Sequence, residues 1–297
     1  LLKRTPKDFD IGTSAHPNEV KKIFRNCWVV GRRFRLAHVK FGQKTIEVAT
    51  FRQQGLTDNE TASVSRHSSP IARDNTFGSP EEDAFRRDFT INGLFYDIST
   101  FTVIDYVGGI VDLQNRLIRC IGDPNDRFVE DPVRMLRAVL FAERLSFRLD
   151  APIRKAIAQH HKKISQAAPA RLLEELYKIL RSGVAKKILR SLSRKKLLQH
   201  IAPEIERGQS AELWRSLDRL DTYRRGPSSS SVELGNPVLL GSVVVPITET
   251  NNQRRRSVRD TPTKAIKLGQ LPIARRDIER LSHVVALQVK LIDTKLS

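Results

Sequence analysis

Two aspartates, Asp8 and Asp10 in Lys7-Asp8-Phe9-Asp10, stand two residues apart. On a strand, that spacing points both side chains to one face. Neighbouring carboxylates repel each other, so a fold that aligns them implies a cation between them. Mg²⁺ suits such a place, because it takes one or two carboxylates together with the phosphates of a substrate. A second segment, Arg86-Arg87-Asp88-Phe89-Thr90-Ile91-Asn92, sets two guanidiniums and a carboxylate in a row. Guanidinium forks match phosphate oxygens in pairs. The two segments together fit a site that handles a nucleoside triphosphate. Taken alone, an Asp-x-Asp step is better explained by a solvated turn.

Those residues need a scaffold, and the pattern of residues 8–52 supplies strand, helix, strand, strand. Asp8–Ile11 is short and extended. His16-Pro17-Asn18-Glu19 opens a helix reaching about Phe24, with Pro17 near its first turn. Trp28–Val30 and Arg33–Val39 have strand character, and Thr45–Phe51 alternates as a half-buried strand does. Glu47 falls on the face opposite Ile46 and Val48. A lone Glu on a strand usually faces water; beside Asp8 and Asp10 it would be a third carboxylate at the metal. Residues 53–80 are polar and read as a loop. A helix is expected over Glu81–Phe95, with Ser79 as cap, Pro80 at the first position and acids in the first turn. Thr102–Asp105 and Leu117–Cys120 read as short strands around the Gly108-Gly109 turn.

From Glu130 the pattern turns helical. Asp131-Pro132 reads as a helix start, and Val133, Leu136 and Leu140 form an apolar stripe. Arg134 and Arg137 share another face, either solvated or placed to read the edge of a base. Helices continue over Arg171–Arg181 and Ala185–Leu198. The stretch from Lys186 to Lys196 carries Lys186, Lys187, Arg190, Arg194, Lys195 and Lys196 and no acid. A solvated helix face and a phosphate-contacting face both fit it. Residues 226–262 read as a linker or basic tail, and Pro272–Ile292 regains helical periodicity.

Composition narrows the class of partner. The 297 residues carry 52 Lys and Arg against 33 Asp and Glu, a net charge of +19, and the basic residues cluster. That excess favours a polyanion, nucleic acid before an anionic membrane surface. Cys27 and Cys120, far apart in sequence, argue against a disulfide scaffold or a zinc site. No apolar run approaches a membrane span, and a reducing cytoplasm is the expected compartment.

Several of these segments form one ordered signature. Asp8-Phe9-Asp10, Ile46–Arg52, Arg86–Asn92, Tyr106-Val107-Gly108-Gly109 with Asp112-Leu113, Arg119–Pro124 and Glu130–Arg137 resemble the class II tRNA nucleotidyltransferase and bacterial poly(A) polymerase family. The likeness is close over the first half and weak beyond about residue 205. Val30–Val39 looks like the poly(A) polymerase version, and the basic charge and the loop at 53–80 lean the same way.

The resemblance implies an α+β chain: a mixed-sheet nucleotidyltransferase head over 1–125, N-terminally truncated, then an all-helical neck and body over 126–225. A basic linker and C-terminal helical segment would fill 226–297. It implies template-independent transfer of AMP from ATP to RNA 3′ ends, with a two-metal Mg²⁺ site held by Asp8 and Asp10. Asp88 or Glu47 would be the further carboxylate. Arg86, Arg87 and Asn92 would hold phosphate and ribose, and Asp131, Arg134 and Arg137 would read the base. Arg32, Arg33 and Arg52 would add positive charge around the triphosphate, and the basic stretch from Lys186 to Lys196 would contact RNA. His38 would be structural. A monomer is expected. CCA addition to tRNA is the alternative activity. The family's Gly-Gly turn and Arg-Asp pair belong just upstream of Asp8, so an inactive fragment, or an RNA-binding protein without catalysis, is the alternative of another class. An exposed strand edge or uncovered core face would accompany that truncation.

Overall fold

The computed structural model describes residues 1–2, 9–31, 35–53, 77–226, 234–254 and 267–283. They fall in two compact units, Leu1–Asp112 and Leu113–Ser297, a division that lies upstream of the expected boundary at 125.

The first unit is built on a four-stranded sheet. Its strands are β1 (Asp10–Thr13), β2 (Cys27–Val30), β3 (Leu36–Phe41) and β4 (Lys44–Thr50), in the order β1-β4-β3-β2. β1 runs parallel to β4, and the other pairs are antiparallel. Alternation does the work here: Cys27, Ala37, Val39 and Val48 are buried together with Val20 of helix α1 (Pro17–Ile23). The next row across the sheet is Trp28, His38, Glu47 and Asp10, aligned by the pairing register. Phe9 and Ile11, on either side of Asp10, are exposed.

The helix expected over Glu81–Phe95 is much shorter. Helix α2 covers Pro80–Phe85, a 3₁₀ turn covers Thr90–Asn92, and strand β5 (Leu94–Asp97) pairs with β6 (Thr102–Asp105). The start is as expected: Ser79 Oγ accepts the Glu82 N–H, and Glu82 reaches back to the Ser79 N–H. The end is decided by Phe89, which is wholly buried and has extended backbone, φ −129° and ψ 148°. Burying that ring outweighs continuing a helix into Thr90, Ile91 and Gly93, which are poor helix formers. Helix α3 (Gly109–Gln114) follows β6.

The second unit is helical. α4 (Pro124–Glu130), α5 (Val133–Leu145), α6 (Ala151–His160), α7 (Pro169–Arg181), α8 (Ala185–Arg194), α9 (Leu198–Ile201), α10 (Pro203–Arg207) and α11 (Ala211–Arg225) come in order. A two-stranded parallel pair, β7 (Leu117–Ile118) and β8 (Arg148–Leu149), ties the start of the unit to the end of α5. Phe128, Met135, Val139, Ile153, Leu180, Leu189 and Leu217 are buried. Asp131 lies between α4 and α5, and its Oδ1 accepts the Val133 N–H, while the cap position falls on Pro132, one residue after the expected start. α8 ends at Arg194, capped by Lys195, with Lys196 in left-handed backbone at φ 58°, before the expected Leu198.

The linker expected over 226–262 needs correction where the chain is described. Helix α12 spans Asn236–Arg254 and buries Leu239, Leu240, Val243, Val244 and Ile247. Its β-branched residues and internal Pro246 argue locally against a helix. Packing of this apolar face, including contact with α11, overrides that weak local preference. A last helix covers 275–283, inside the expected Pro272–Ile292. No helix among the described residues is long and apolar enough to cross a membrane. Cys27 and Cys120 are buried and carry no disulfide.

One internal pair sets a pH dependence. His161 Nδ1 lies 3.2 Å from His200 Nε2, with the rings stacked at 5.4 Å. Burial lowers the His161 pKa below its ordinary value, and His200, Lys196 and Lys162 push it further down. A depressed folded pKa favours the neutral ring, so its stabilising contribution is present above the unfolded value and lost as pH falls through the folded one. The melting temperature of wild type is expected to fall more steeply below pH 6.5 than that of His161→Gln. Parallel curves in calorimetry would refute this.

Candidate active site

Asp10 opens β1, and its partner in the parallel register is Glu47 of β4. Paired positions on adjacent strands lie on the same face, about 5 Å apart at the backbone. Both residues are exposed, and the Glu47 carboxylate is 3.7 Å from His38 Nε2. Asp8, Arg32 and Arg33 lie outside the described residues. Among the described residues no three His, Cys, Asp or Glu side chains form a cage for a metal. Mg²⁺ does not need one, since substrate phosphates and water complete its octahedron. Asp10 and Glu47, with donors of oxygen only, fit that requirement.

The segment from Arg86 to Asn92 is organised by a residue that reads, in sequence, as one acid among three in a first turn. Asp83 is buried, at 4% exposure. Its Oδ1 accepts Arg86 Nε–H at 2.8 Å and the Arg52 backbone N–H at 3.2 Å. Its Oδ2 accepts Arg87 Nε–H at 3.1 Å and Nη2–H at 3.0 Å. Arg87 also donates to the Asn92 carbonyl and lies over the Phe95 ring, 4.8 Å from its centre. The spacings i, i+3 and i, i+4 on a helix were the available signal for Asp83. Arg52 is itself buried, at 3% exposure, with Nη2 donating to the Arg35 carbonyl. That placement corrects the expectation of an open cation beside a triphosphate; in this conformation Arg52 braces the end of β4.

Asp88 Oδ1 accepts both the Phe89 N–H and Asn92 Nδ2–H at 2.9 Å. The pair is thus brought together, with Asp88 orienting the amide. The Gly-Gly motif serves the same turn. Asp105 accepts the N–H groups of Val107, Gly109 and Ile110. Partial burial pushes its carboxyl up, but the N–H donors of Ile110, Gly109, Val107 and Gly108 outweigh it and hold the pKa below the ordinary value. Gly108 takes φ 77°, open to glycine with little strain. A Cβ on Gly109 would stand 2.2 Å from the Thr90 carbonyl oxygen, so the two turns touch through backbone. Thr90 Oγ1 donates to buried Asp112 Oδ2 at 2.7 Å.

The three residues expected to read a base lie on the second unit. Both Asp131 oxygens accept from Arg171, at 3.0 and 2.8 Å. Arg134 Nη1 donates to Glu130 at 2.7 Å and to the Arg127 carbonyl at 3.0 Å. Arg137 is 3.9 Å from buried Glu175 and lies over the Phe141 ring. Each guanidinium is therefore held before any ligand arrives. Sequence reading missed Arg171 and Glu175, because each is some forty residues from its partner. Lys187 and Arg194 on α8, and Lys196 just past its end, face solvent. Lys186 pairs with Asp218, and Arg190 lies over the Trp214 ring at 4.7 Å. Lys195 is half-buried, its pKa lowered by burial, and donates to Ser191 Oγ.

Comparison with known proteins matches two regions. Residues 1–119 match the poly A polymerase head domain. Residues 146–208 match a domain described as the probable RNA and SrmB-binding site of polymerase A. The chain is 50% identical over 209 residues to poly(A) polymerase I of Salmonella typhi, which covers 70% of this chain and 45% of that protein. A CCA-adding enzyme of Lactobacillus helveticus is 37% identical over 180 residues, 60% of this chain and 43% of that one. The chain thus spans under half the length of these relatives. The crystal structure of the Bacillus stearothermophilus CCA-adding enzyme with CTP superposes with a TM-score of 0.62 at 28% identity, over 86% of this chain and 64% of that one. With the head domain, the RNA-binding segment and the ordered motifs in agreement, the chain belongs to the class II tRNA nucleotidyltransferase and poly(A) polymerase family.

Proposed function

We propose that this protein transfers AMP from ATP to RNA 3′ ends without a template. The RNA 3′-oxygen attacks the α-phosphorus of ATP, and pyrophosphate leaves in line. The observation carrying the chemistry is the pairing of Asp10 with Glu47 on adjacent parallel strands. Asp10 and Glu47, joined by Asp8, would hold Mg²⁺, which when bound neutralises the triphosphate and makes the 3′-hydroxyl more acidic. Glu47 rather than Asp88 is the further carboxylate, since Asp88 is occupied in orienting Asn92. Arg86 and Arg87, pre-aimed by Asp83, take phosphate oxygens and cost little reorganisation on binding. Phosphate contacts on α8 would fix the RNA without reading its sequence.

The choice of ATP rests on Asp131, Arg134 and Arg137, which Arg171, Glu130 and Glu175 respectively pair with. A base edge that matches such fixed donors and acceptors is favoured, and one that leaves them unpaired is rejected. Arg134→Ala with Arg137→Ala is expected to cut the preference for ATP over CTP roughly tenfold or more, one bidentate contact's worth. An unaltered ratio of kcat/KM values would remove the base-reading role.

Greater identity to poly(A) polymerase I than to CCA-adding enzymes supports adenylylation over CCA addition. The deciding assay supplies each nucleotide separately with an unstructured RNA and with a tRNA lacking CCA. Long A-tails on the unstructured RNA are expected. A stop after three nucleotides on tRNA alone would install CCA addition instead, and RNA binding without extension would leave a non-catalytic binder.

A further inference from the structure

Two neighbouring cavities of the helical unit share lining residues and lie mostly beyond the matched RNA-binding segment, with Arg181 inside it. The first, of about 580 Å³, lies between α11, α12 and the helix at 275–283. This is within the size range of small-ligand sites. Its floor is apolar: Leu220, Val238, Gly241 and Leu281. Arg219 and Tyr223 stand at its edge, one helical turn apart. Neither side chain has a hydrogen-bond or ion-pair partner among the described residues. The second cavity, of about 310 Å³, shares Leu234 and Pro237 with the first.

Charge converges on that second cavity. Arg181, Arg276 and Arg280 line it together with Asp277, which leaves a surplus of two positive charges. Arg276 and Arg280 are exposed, one turn apart and unpaired among the described residues. Arg181 donates through Nη2 to Asn236 Oδ1 and stacks on the Tyr177 ring at 5.3 Å, yet its buried Nε has no partner. Asn236 begins α12, a helix of 19 residues, so the positive end of its dipole lies at the same place, with the Val238 and Leu239 N–H groups already bonded to the Gly235 carbonyl. An orphaned guanidinium nitrogen, two arginines unpaired among the described residues and the positive end of a helix dipole make a built site for an anion. Its continuation is an apolar slot with an aromatic edge.

We propose that this pair of cavities forms a groove that holds a stretch of single-stranded RNA, with a phosphate at Arg181, Arg276 and Arg280 and the adjoining base in the slot beside Tyr223. The inference rests on the reading of the protein as acting on RNA and adds a second station for the strand. Phosphates spaced along a flexible strand with a base between them match the alternation of charged and apolar surface, which a free phosphate or a lipid headgroup does not. Stacking and apolar burial would be tolerant of sequence.

The test uses the full chain, a labelled 20-nucleotide oligo(A) and fluorescence anisotropy over a range of salt. Arg276→Glu with Arg280→Glu changes exposed residues and is expected to weaken binding at least tenfold and flatten the salt dependence. Val238→Trp, at a half-exposed position, fills the slot and is expected to weaken binding with the salt dependence unchanged. A 4-thiouridine-substituted RNA should crosslink to residues 219–246. Wild-type affinity in both variants, with crosslinks confined to α8, overturns the groove and leaves the RNA reading standing. Absence of RNA binding by wild type removes both. Displacement of the RNA by poly-glutamate as readily as by unlabelled RNA would mark a dock for an acidic protein segment and also overturn the proposal.

Discussion

Asp10→Asn in the full chain is expected to lower RNA 3′ extension by on the order of a thousandfold, the scale of losing one preorganised electrostatic contact to a transition state. Oligo(A) affinity should stay within about twofold, because Asp10 repels rather than attracts a phosphate backbone. The substitution keeps size and shape at an exposed position, so the fold has little to lose. A second readout separates the metal from the reaction: calorimetric titration of Mn²⁺ in the presence of ATP should lose its tight protein-dependent phase. Glu47→Gln should do the same to a smaller degree. Extension near the wild-type rate, or an unaltered Mn²⁺ titration, would sink the assignment of this strand pair to a cation.

Asp83→Ala carries the largest expected loss of stability. It deletes four accepted hydrogen bonds, three of them from guanidiniums. Bonds between charged groups are the strong ones. Removing a partner from a buried ion pair costs several kcal/mol, but Arg86 and Arg87 are each over a third exposed and regain water. The net loss should be about 2–3 kcal/mol. For a unit of this size that is a fall of roughly 10 °C in melting temperature. The apparent KM for ATP should rise as well, because Arg86 and Arg87 are no longer aimed. Asp83→Asn should recover part of the stability and little of the aim, since an amide cannot accept all four. A variant with native melting temperature and native KM would show that Asp83 organises nothing.

The contrast between these two residues explains what could be read in advance. Asp10 was legible as a candidate, because a carboxylate two residues from another is a local feature and the strand period sets its face. Glu47 was legible as a candidate but not as a neighbour. Whether β4 lies beside β1 is a matter of sheet order, and periodicity carries no pairing information. The same holds for Arg171 with Asp131 and Arg137 with Glu175, pairs made by helix packing over some forty residues. Local pattern failed in a different way at Glu81–Phe95 and at 236–254. In the first, one buried phenylalanine ended a helix that charge and capping had opened well. In the second, valines that suggest a strand were held helical by the surface they cover. Asp8, Arg32 and Arg33, and residues 54–76 of the loop read at 53–80, fall outside the described residues.

The contact between Gly109 and the Thr90 carbonyl bears on how the head tolerates change. The turn carrying Asn92 is positioned by a glycine seventeen residues downstream that offers no functional group. Gly109 acts as a shim of zero thickness: the smallest addition, one methyl, must displace Thr90, and Asp88 and Asn92 move with it. Substitutions at this glycine would therefore impair ATP use through distance alone, with the identity of every site residue unchanged.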